Sequence, residues 1–381
     1  MSDNYSYPPS TVPLPFDPSL QHVLPENNLS RAQICSSPQV AETLHRQGYT
    51  KGLISSMTSS VSSFPLRIWI VDNSGSMQQT DGSKIAGNRD NLKFVPSSRW
   101  DEIRECIIYH AEMAGLLHSS TVFRMLNIPG VHAGPQMMSI AERGPDAVAG
   151  EVDTVRNCMY KSRPGGCTPL AQHLREIREI VDSMSTTLRA GGQKVAVIIA
   201  TDGLPTDSNG YQSKSTRDEF VNELMLLGRL PVWIVVRLCT DDEAVVTFYN
   251  DLDGQLENDI EVIDDFRGEA QEIYEHNKWL NYALPLHRIR ERGFHDRLLD
   301  LLDERPLTGG EVRDFCALLF GTQSQEDLPD PSSYDEFRKA LKTLIGDEEM
   351  QWNPIKGKRT PWVDLHVIDQ LYGPPRICVI S

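Results

Sequence analysis

No C-x-x-C pair occurs in this 381-residue chain, whose seven cysteines stand alone at 35, 106, 158, 167, 239, 316 and 378. An odd, scattered set excludes a disulfide frame and a thiolate zinc site and reads as reduced cytosolic thiols. No apolar run approaches the roughly 20 residues that span a bilayer; the strongest, 195–200, has strand length. The start Met1-Ser2-Asp3-Asn4-Tyr5 lacks the basic and apolar regions of a secretory signal, so export is not expected. Basic residues are in deficit, 37 Lys and Arg against 53 Asp and Glu, a net charge of −16. That balance argues against duplex nucleic acid and against broad contact with anionic lipid, while leaving local basic patches open. Walker A, G-x-S-x-G and H-E-x-x-H patterns are also missing, and no nucleophile has a matched base. His110, His118, His287 and His295 fall on helical stretches and read as core or surface residues.

What the chain does have is a hydrophobic fraction of 39%, enough for a real core. Residues 1–63, rich in Pro and Ser, read as a partly ordered leader with one helix at 38–47. From 64 onward, apolar runs of strand length alternate with amphipathic stretches, the signature of a parallel sheet with crossover helices. Strands are predicted at 66–71, 120–127, 136–141 (an edge), 194–201 (buried and central), 231–238 and 260–263. Helices are predicted at 99–117, opened by Ser98 and Asp101, then at 146–160, 169–188, 217–227, 241–252 behind Thr240, and 268–280. The stripe Leu170, Leu174, Ile177, Ile180 and Val181 gives 169–188 a core-facing side. The expected fold is α/β: a doubly wound, mostly parallel six-stranded sheet flanked by helices over 64–284. A small, mostly helical C-terminal appendage over 285–372 follows, with helices at 287–302, 311–320 and 334–345, a short element at 363–371, and too few strand signals for a second sheet. Trp279, Trp352 and Trp362 are expected to pack the appendage rather than stack on a ligand.

The first strand runs into Asp72-Asn73-Ser74-Gly75-Ser76, where one carboxylate and two hydroxyls alternate at i, i+2 and i+4 above the sheet. In a doubly wound sheet, ligands sit beyond the carboxyl ends of the strands, so neighbouring loops must contribute. Two fit: Gly165-Gly166-Cys167-Thr168-Pro169-Leu170 introduces a helix with a hydroxyl, and Ala200-Thr201-Asp202-Gly203 ends the central strand with a carboxylate. An all-oxygen set of this kind suits a hard divalent cation.

DNSGS, GGCTPL and ATDG, in that order, resemble the metal-ion-dependent adhesion site of the von Willebrand factor A-like domain family, over about 64–284. The resemblance implies hydroxyl ligands at Ser74, Ser76 and Thr168, with Asp72 and Asp202 holding the ion directly or through water. It implies magnesium, with manganese or calcium as alternatives, and a protein partner whose Asp or Glu completes the ion's shell. The long segments after Ser76 and after Asn127 depart from the family pattern; the first, 77–96, is polar, too irregular for a helix, and a candidate partner surface. A cytoplasmic binding module and not an enzyme is therefore expected, with a structural or adaptor subunit of a larger machine such as an ATPase as the alternative. A metal-dependent hydrolase is the weaker third reading. Phosphotransferases of the haloacid dehalogenase type need a second carboxylate at i+2, where this chain has Ser74.

Cys378-Val379-Ile380-Ser381 fits a C-a-a-X box, read as prenylation at Cys378 behind an exposed Gly373-Pro374-Pro375 tail. One prenyl chain gives weak membrane association, so a second signal is expected, with Lys356, Lys358 and Arg359 as its candidate.

Overall fold

A computed structural model of the chain describes residues 37–88, 91–256, 260–322 and 327–374. Ser37 caps helix α1 (Pro38–Arg46), accepting from Val40 N at 3.4 Å. A second helix, α2 (Lys51–Ser63), lies where the sequence reading expects loosely ordered leader. The serines do not compete with the helix, because Thr58 and Ser60 donate back to the carbonyls of Ile54 and Met57 at 3.0 and 2.7 Å. Leu53, Met57 and Val61, four apart, form its buried face.

Two compact units divide the described residues: Phe64–Gly82 with Pro96–Val262, and 37–63 with Ser83–Val95 and the chain from Ile263 onward. In the first unit β1 (Leu66–Val71) is fully buried. The segment 77–96, read as too irregular for a helix, holds β2 (Gly82–Asn88) and most of β3 (Asn91–Ser97), paired as a two-stranded sheet whose Ser83–Val95 stretch belongs to the second unit. Helix α3 (Arg99–Leu116) opens behind Ser98, which accepts from Asp101 N. Strand β4 (Thr121–Met125) pairs in parallel with β1, and β5 (Met137–Ile140) runs antiparallel along it as the edge.

Helices α4 (Val148–Lys161) and α5 (Leu170–Ala190) precede the central strand β6 (Val195–Thr201). Helix α6 (Lys214–Gly228), strand β7 (Val232–Leu238), helix α7 (Glu243–Leu256) and strand β8 (Ile260–Ile263) complete the series. Asp242, not Thr240, caps α7: its carboxylate accepts from Ala244 N at 2.9 Å, while Thr240 supports Asp242 N. The order β5-β4-β1-β6-β7-β8 makes a six-stranded, mostly parallel sheet with β1 flanked by β4 and β6. All residues of β1, β6 and β7 are buried, as a parallel sheet covered on both faces requires. Leu170, Leu174, Ile177 and Val181 of α5 pack into that core.

The second unit continues with α8 (Phe266–His276), α9 (Leu284–Glu291) and α10 (Arg297–Glu304). One helix is expected over 287–302, but Gly293 at φ +81° stops it, with Gly293 N donating to Arg290 O and Phe294 N to Ile289 O. Helix α11 (Gly309–Phe320) opens with the Thr308/Glu311 capping box, and α12 (Tyr334–Asp347) follows. Strands β9 (Gln351–Asn353) and β10 (Lys358–Thr360) form an antiparallel pair that the sequence reading did not anticipate; each is three residues long, too short for an alternation signal. Helix α13 (Leu365–Leu371) ends the described chain, and Cys378 with its C-a-a-X box lies outside the described residues.

Trp279, Trp352 and Trp362 are buried, Trp279 edge-on to Phe315. Helix α2 packs against α11 at backbone contact: a side chain at Gly52 would place its first carbon 1.9 Å from Leu318 O, and Thr50 donates to Leu319 O. No helix among the described residues is long and apolar enough to cross a membrane.

Candidate metal site

Strands β4, β1 and β6 lie side by side, so Asn127, Asp72 and Asp202 emerge together at the carboxyl edge of the sheet. The chain goes from β1 to β4 on one side and later to β6 on the other, making this edge the switch point where a crevice opens. Main-chain bonds hold the strand ends in line, with Asp72 N donating to Ala200 O and Leu126 N to Val71 O, both at 2.9 Å.

Asp72 is fully buried, and each carboxylate oxygen takes a donor: Ser74 N on Oδ1 at 2.8 Å and Thr201 Oγ1 on Oδ2 at 2.7 Å. From Ser74 a chain of oxygens continues, 3.0 Å to Ser76 Oγ and 2.8 Å from there to Asp202 Oδ1. Thr168 is fixed by its main chain, whose N donates to Thr206 Oγ1 and whose carbonyl accepts from Thr206 N, both at 3.0 Å. A Cβ added to Gly203 would stand 3.8 Å from Thr168 Oγ1 and 4.0 Å from Ser76 Oγ, so Gly203 lies beside both hydroxyls. The five candidate residues thus come to one place.

Two amides tie the loops around them. Asn127 N donates to Asn73 Oδ1 at 2.7 Å, Asn73 Nδ2 to Asn127 O at 2.9 Å, and Asn127 Nδ2 to Cys167 O at 2.8 Å. Gly166, at φ +94°, lets the third loop approach; a Cβ there would meet Asn127 Oδ1 at 2.5 Å. Neither asparagine is singled out by the sequence reading, though Asn127 stands at the end of the strand beside β1.

The larger omission is Arg99. Its guanidinium, in a side chain 6% exposed, donates from Nη1 to Asp202 Oδ2 at 2.9 Å and through Nε and Nη2 to Asp81 at 2.8 and 2.6 Å. Burial works against its charge, but the bonds to Asp81 and Asp202 outweigh that and hold it protonated, while Arg99 holds Asp81 below the usual carboxylate range. A signal existed: Arg99 is the first residue of α3, where the helix dipole disfavours a cation unless an acid compensates.

Comparison of the chain with protein-family models and with curated proteins finds no match. The electrostatics of the site therefore carry the argument. Burial, and then the charge of Asp202, push Asp72 up to about 6. Burial likewise raises Asp202 against the pull of Arg99 and Ser76. Tyr249, raised by burial and by Asp72, stays protonated and donates to Gly203 O at 3.1 Å. Two buried carboxylates that both hold protons too tightly are short of positive charge, and Arg99 alone does not satisfy them.

Two carboxylates and three hydroxyls fit magnesium, manganese or calcium, and give a soft metal nothing to bind. The nearest thiol, Cys167, is raised by burial and by Asp207 and points to Ser208 O at 3.9 Å. Elsewhere, Cys106 and His110 come within 4.8 Å of each other, an i, i+4 pair on α3, but His110 packs tilted against Trp69 with ring centroids 4.7 Å apart, as a core residue does.

Proposed function

We propose that Asp72, Ser74, Ser76, Thr168 and Asp202 hold a divalent cation, most naturally magnesium, and that the chain is a von Willebrand factor A-like protein-binding module. The observation that carries this reading is the unbroken run of oxygens from Ser74 through Ser76 to Asp202 beside a buried, underprotected Asp72. When bound, the ion would offer a coordination position to a carboxylate oxygen of a partner protein. Three of its protein ligands would be neutral hydroxyls, which leaves the ion open to a further carboxylate oxygen in place of water. Asp72 orients Ser74 through its backbone N–H, and Thr201 fixes the rotamer of Asp72.

The reading is one of binding, not turnover. Asp81, the nearest additional carboxylate along the motif loop, is engaged by Arg99 in a two-pronged pair and is not free to act as a general acid. An adaptor role, in which the second unit makes the main contacts, is the alternative. The test is affinity capture from native cells with wild type and Asp202→Ala, each with magnesium and with EDTA. The reading expects partners lost with the variant and with EDTA; partners retained under both conditions would overturn it and favour the adaptor.

A further inference from the structure

The second unit contains a cavity of about 510 Å³ between the 278–281 segment and the β9–β10 turn. Its volume lies in the range of small-molecule sites. Lys278, Lys356, Lys358 and His366 line it, with Thr360 and Asn281 at its wall. The single carboxylate there, Asp364, is already paired with Lys356 at 3.1 Å. Lys278 and Lys358 are exposed and have no ion-pair partner among the described residues. A chain of net charge −16 has thus gathered unneutralised positive charge at one concave place, which selects for an anion.

The walls are preformed. Asn281 N donates to Trp362 O at 2.9 Å and Asp364 N to Trp279 O at 2.8 Å, around the Leu280–Val363 bridge. Asn353 Oδ1 accepts from Ile355 N and Lys356 N at 3.0 and 2.8 Å, and Gly357 turns at φ +59°, which fixes the stem carrying Lys356 and Lys358.

Asn281 adds a second requirement. It is 3% exposed, and its Nδ2 spends both hydrogens on Gln351 O and Thr360 O at 3.2 and 3.4 Å. Its Oδ1 is buried with no hydrogen-bond partner. An acceptor left so, just behind the cavity wall, favours an occupant that can donate to it once the amide turns its oxygen toward the cavity. The occupant is therefore anionic toward the lysines and a hydroxyl donor toward Asn281.

We propose that this cavity binds a phosphorylated polyol, the chemistry of an inositol phosphate, carried either on a lipid headgroup or free in solution. The phosphates meet Lys278, Lys356 and Lys358, and a ring hydroxyl donates to Asn281 Oδ1. The site is independent of the metal-site reading.

The test uses the full chain, with calorimetry against inositol 1,4,5-trisphosphate and against pyrophosphate, and co-sedimentation with three vesicle types. These are phosphatidylcholine alone, phosphatidylcholine with phosphatidylinositol 4,5-bisphosphate, and phosphatidylcholine with phosphatidylserine at equal charge. Lys278→Gln/Lys358→Gln removes two exposed charges without touching the packing. Expected are binding of the trisphosphate, tighter than pyrophosphate, and at least a tenfold loss in the double variant. Preference for the phosphoinositide vesicles over equal-charge phosphatidylserine assigns the lipid source, and trisphosphate binding without vesicle binding assigns the soluble one. No binding of the trisphosphate, or binding unchanged in the double variant, overturns the proposal; equal affinity for pyrophosphate overturns the polyol assignment.

Discussion

Replacing Arg99 by Met removes the guanidinium that touches Asp202, the one cation to do so among the described residues, and leaves that buried carboxylate only the Ser76 hydroxyl. Breaking a buried ion pair from one side costs about 3–5 kcal/mol. An independent figure agrees: unit charges about 4 Å apart at an effective dielectric constant of about 20 attract by about 4 kcal/mol. For a unit of this size each kcal/mol moves the melting temperature by about 2–4 °C, so the metal-free variant should melt on the order of 10 °C lower. A dication at Asp202 restores the missing positive charge, and most of that loss should vanish with saturating magnesium. By linkage the free energy that magnesium restores appears in binding, so Arg99→Met should bind magnesium about 100- to 1,000-fold more tightly than wild type. Differential scanning fluorimetry across a magnesium series, with calorimetry for the affinity, measures both sides of the cycle. A variant that loses stability equally with and without magnesium, at unchanged affinity, would refute the reasoning.

Asp72 should make magnesium binding acid-sensitive: with its metal-free pKa near 6, affinity should fall about tenfold per pH unit below that value, and calorimetry giving the same affinity at pH 7.5 and 5.0 would contradict this. His173, pushed down to about 3 by burial and by Arg124, is neutral in the fold, so its contribution is complete above the unfolded value of 6.5 and is lost as pH falls toward 3. The loss amounts to about 1.4 kcal/mol per pH unit. Asp72, raised above its unfolded 3.8, works in the opposite direction between about 6 and 4, so urea titrations at pH 6.5 and 4.5 should show a larger loss of stability on acidification with magnesium than without it. Gly52→Ala drives a carbon into Leu318 O and should destabilise the second unit by about 1–3 kcal/mol or more; wild-type denaturant stability would remove the argument for the α2–α11 contact.

The sheet was legible because its strands are apolar runs separated by helices whose stripes and caps are local. Leu170 to Val181 repeats on a helical period, and Thr308 with Glu311 closes a capping box within four residues. The candidate site was legible where its residue types are themselves the chemistry, as at Asp72, Ser74, Ser76, Thr168 and Asp202. Illegible were the features that depend on distant partners. Arg99 acquires its meaning only from Asp81 and Asp202, and Asn127 only from Asn73 and Cys167. Helix α2 hid behind serines whose hydroxyls bond inward, and its apolar face has little meaning until α11 is placed against it. The split at Gly293 needed a backbone conformation that residue identity permits without demanding.

That same α2–α11 contact has a consequence for how the chain is made. The second unit begins before the first and closes after it, since Lys51–Ser63 waits for Gly309–Phe320. At roughly 5–20 residues per second, the intervening chain occupies a ribosome for on the order of 10 to 50 s. Throughout that interval Leu53, Met57 and Val61 lack their eventual partner, while the sheet that carries the candidate site can already assemble once its strands have emerged. Nascent chains stalled just before Gly309, with the sheet clear of the ribosome and Gly309–Phe320 not yet made, should therefore resist protease across the sheet while remaining open to cleavage, and to chaperone capture, at 51–63.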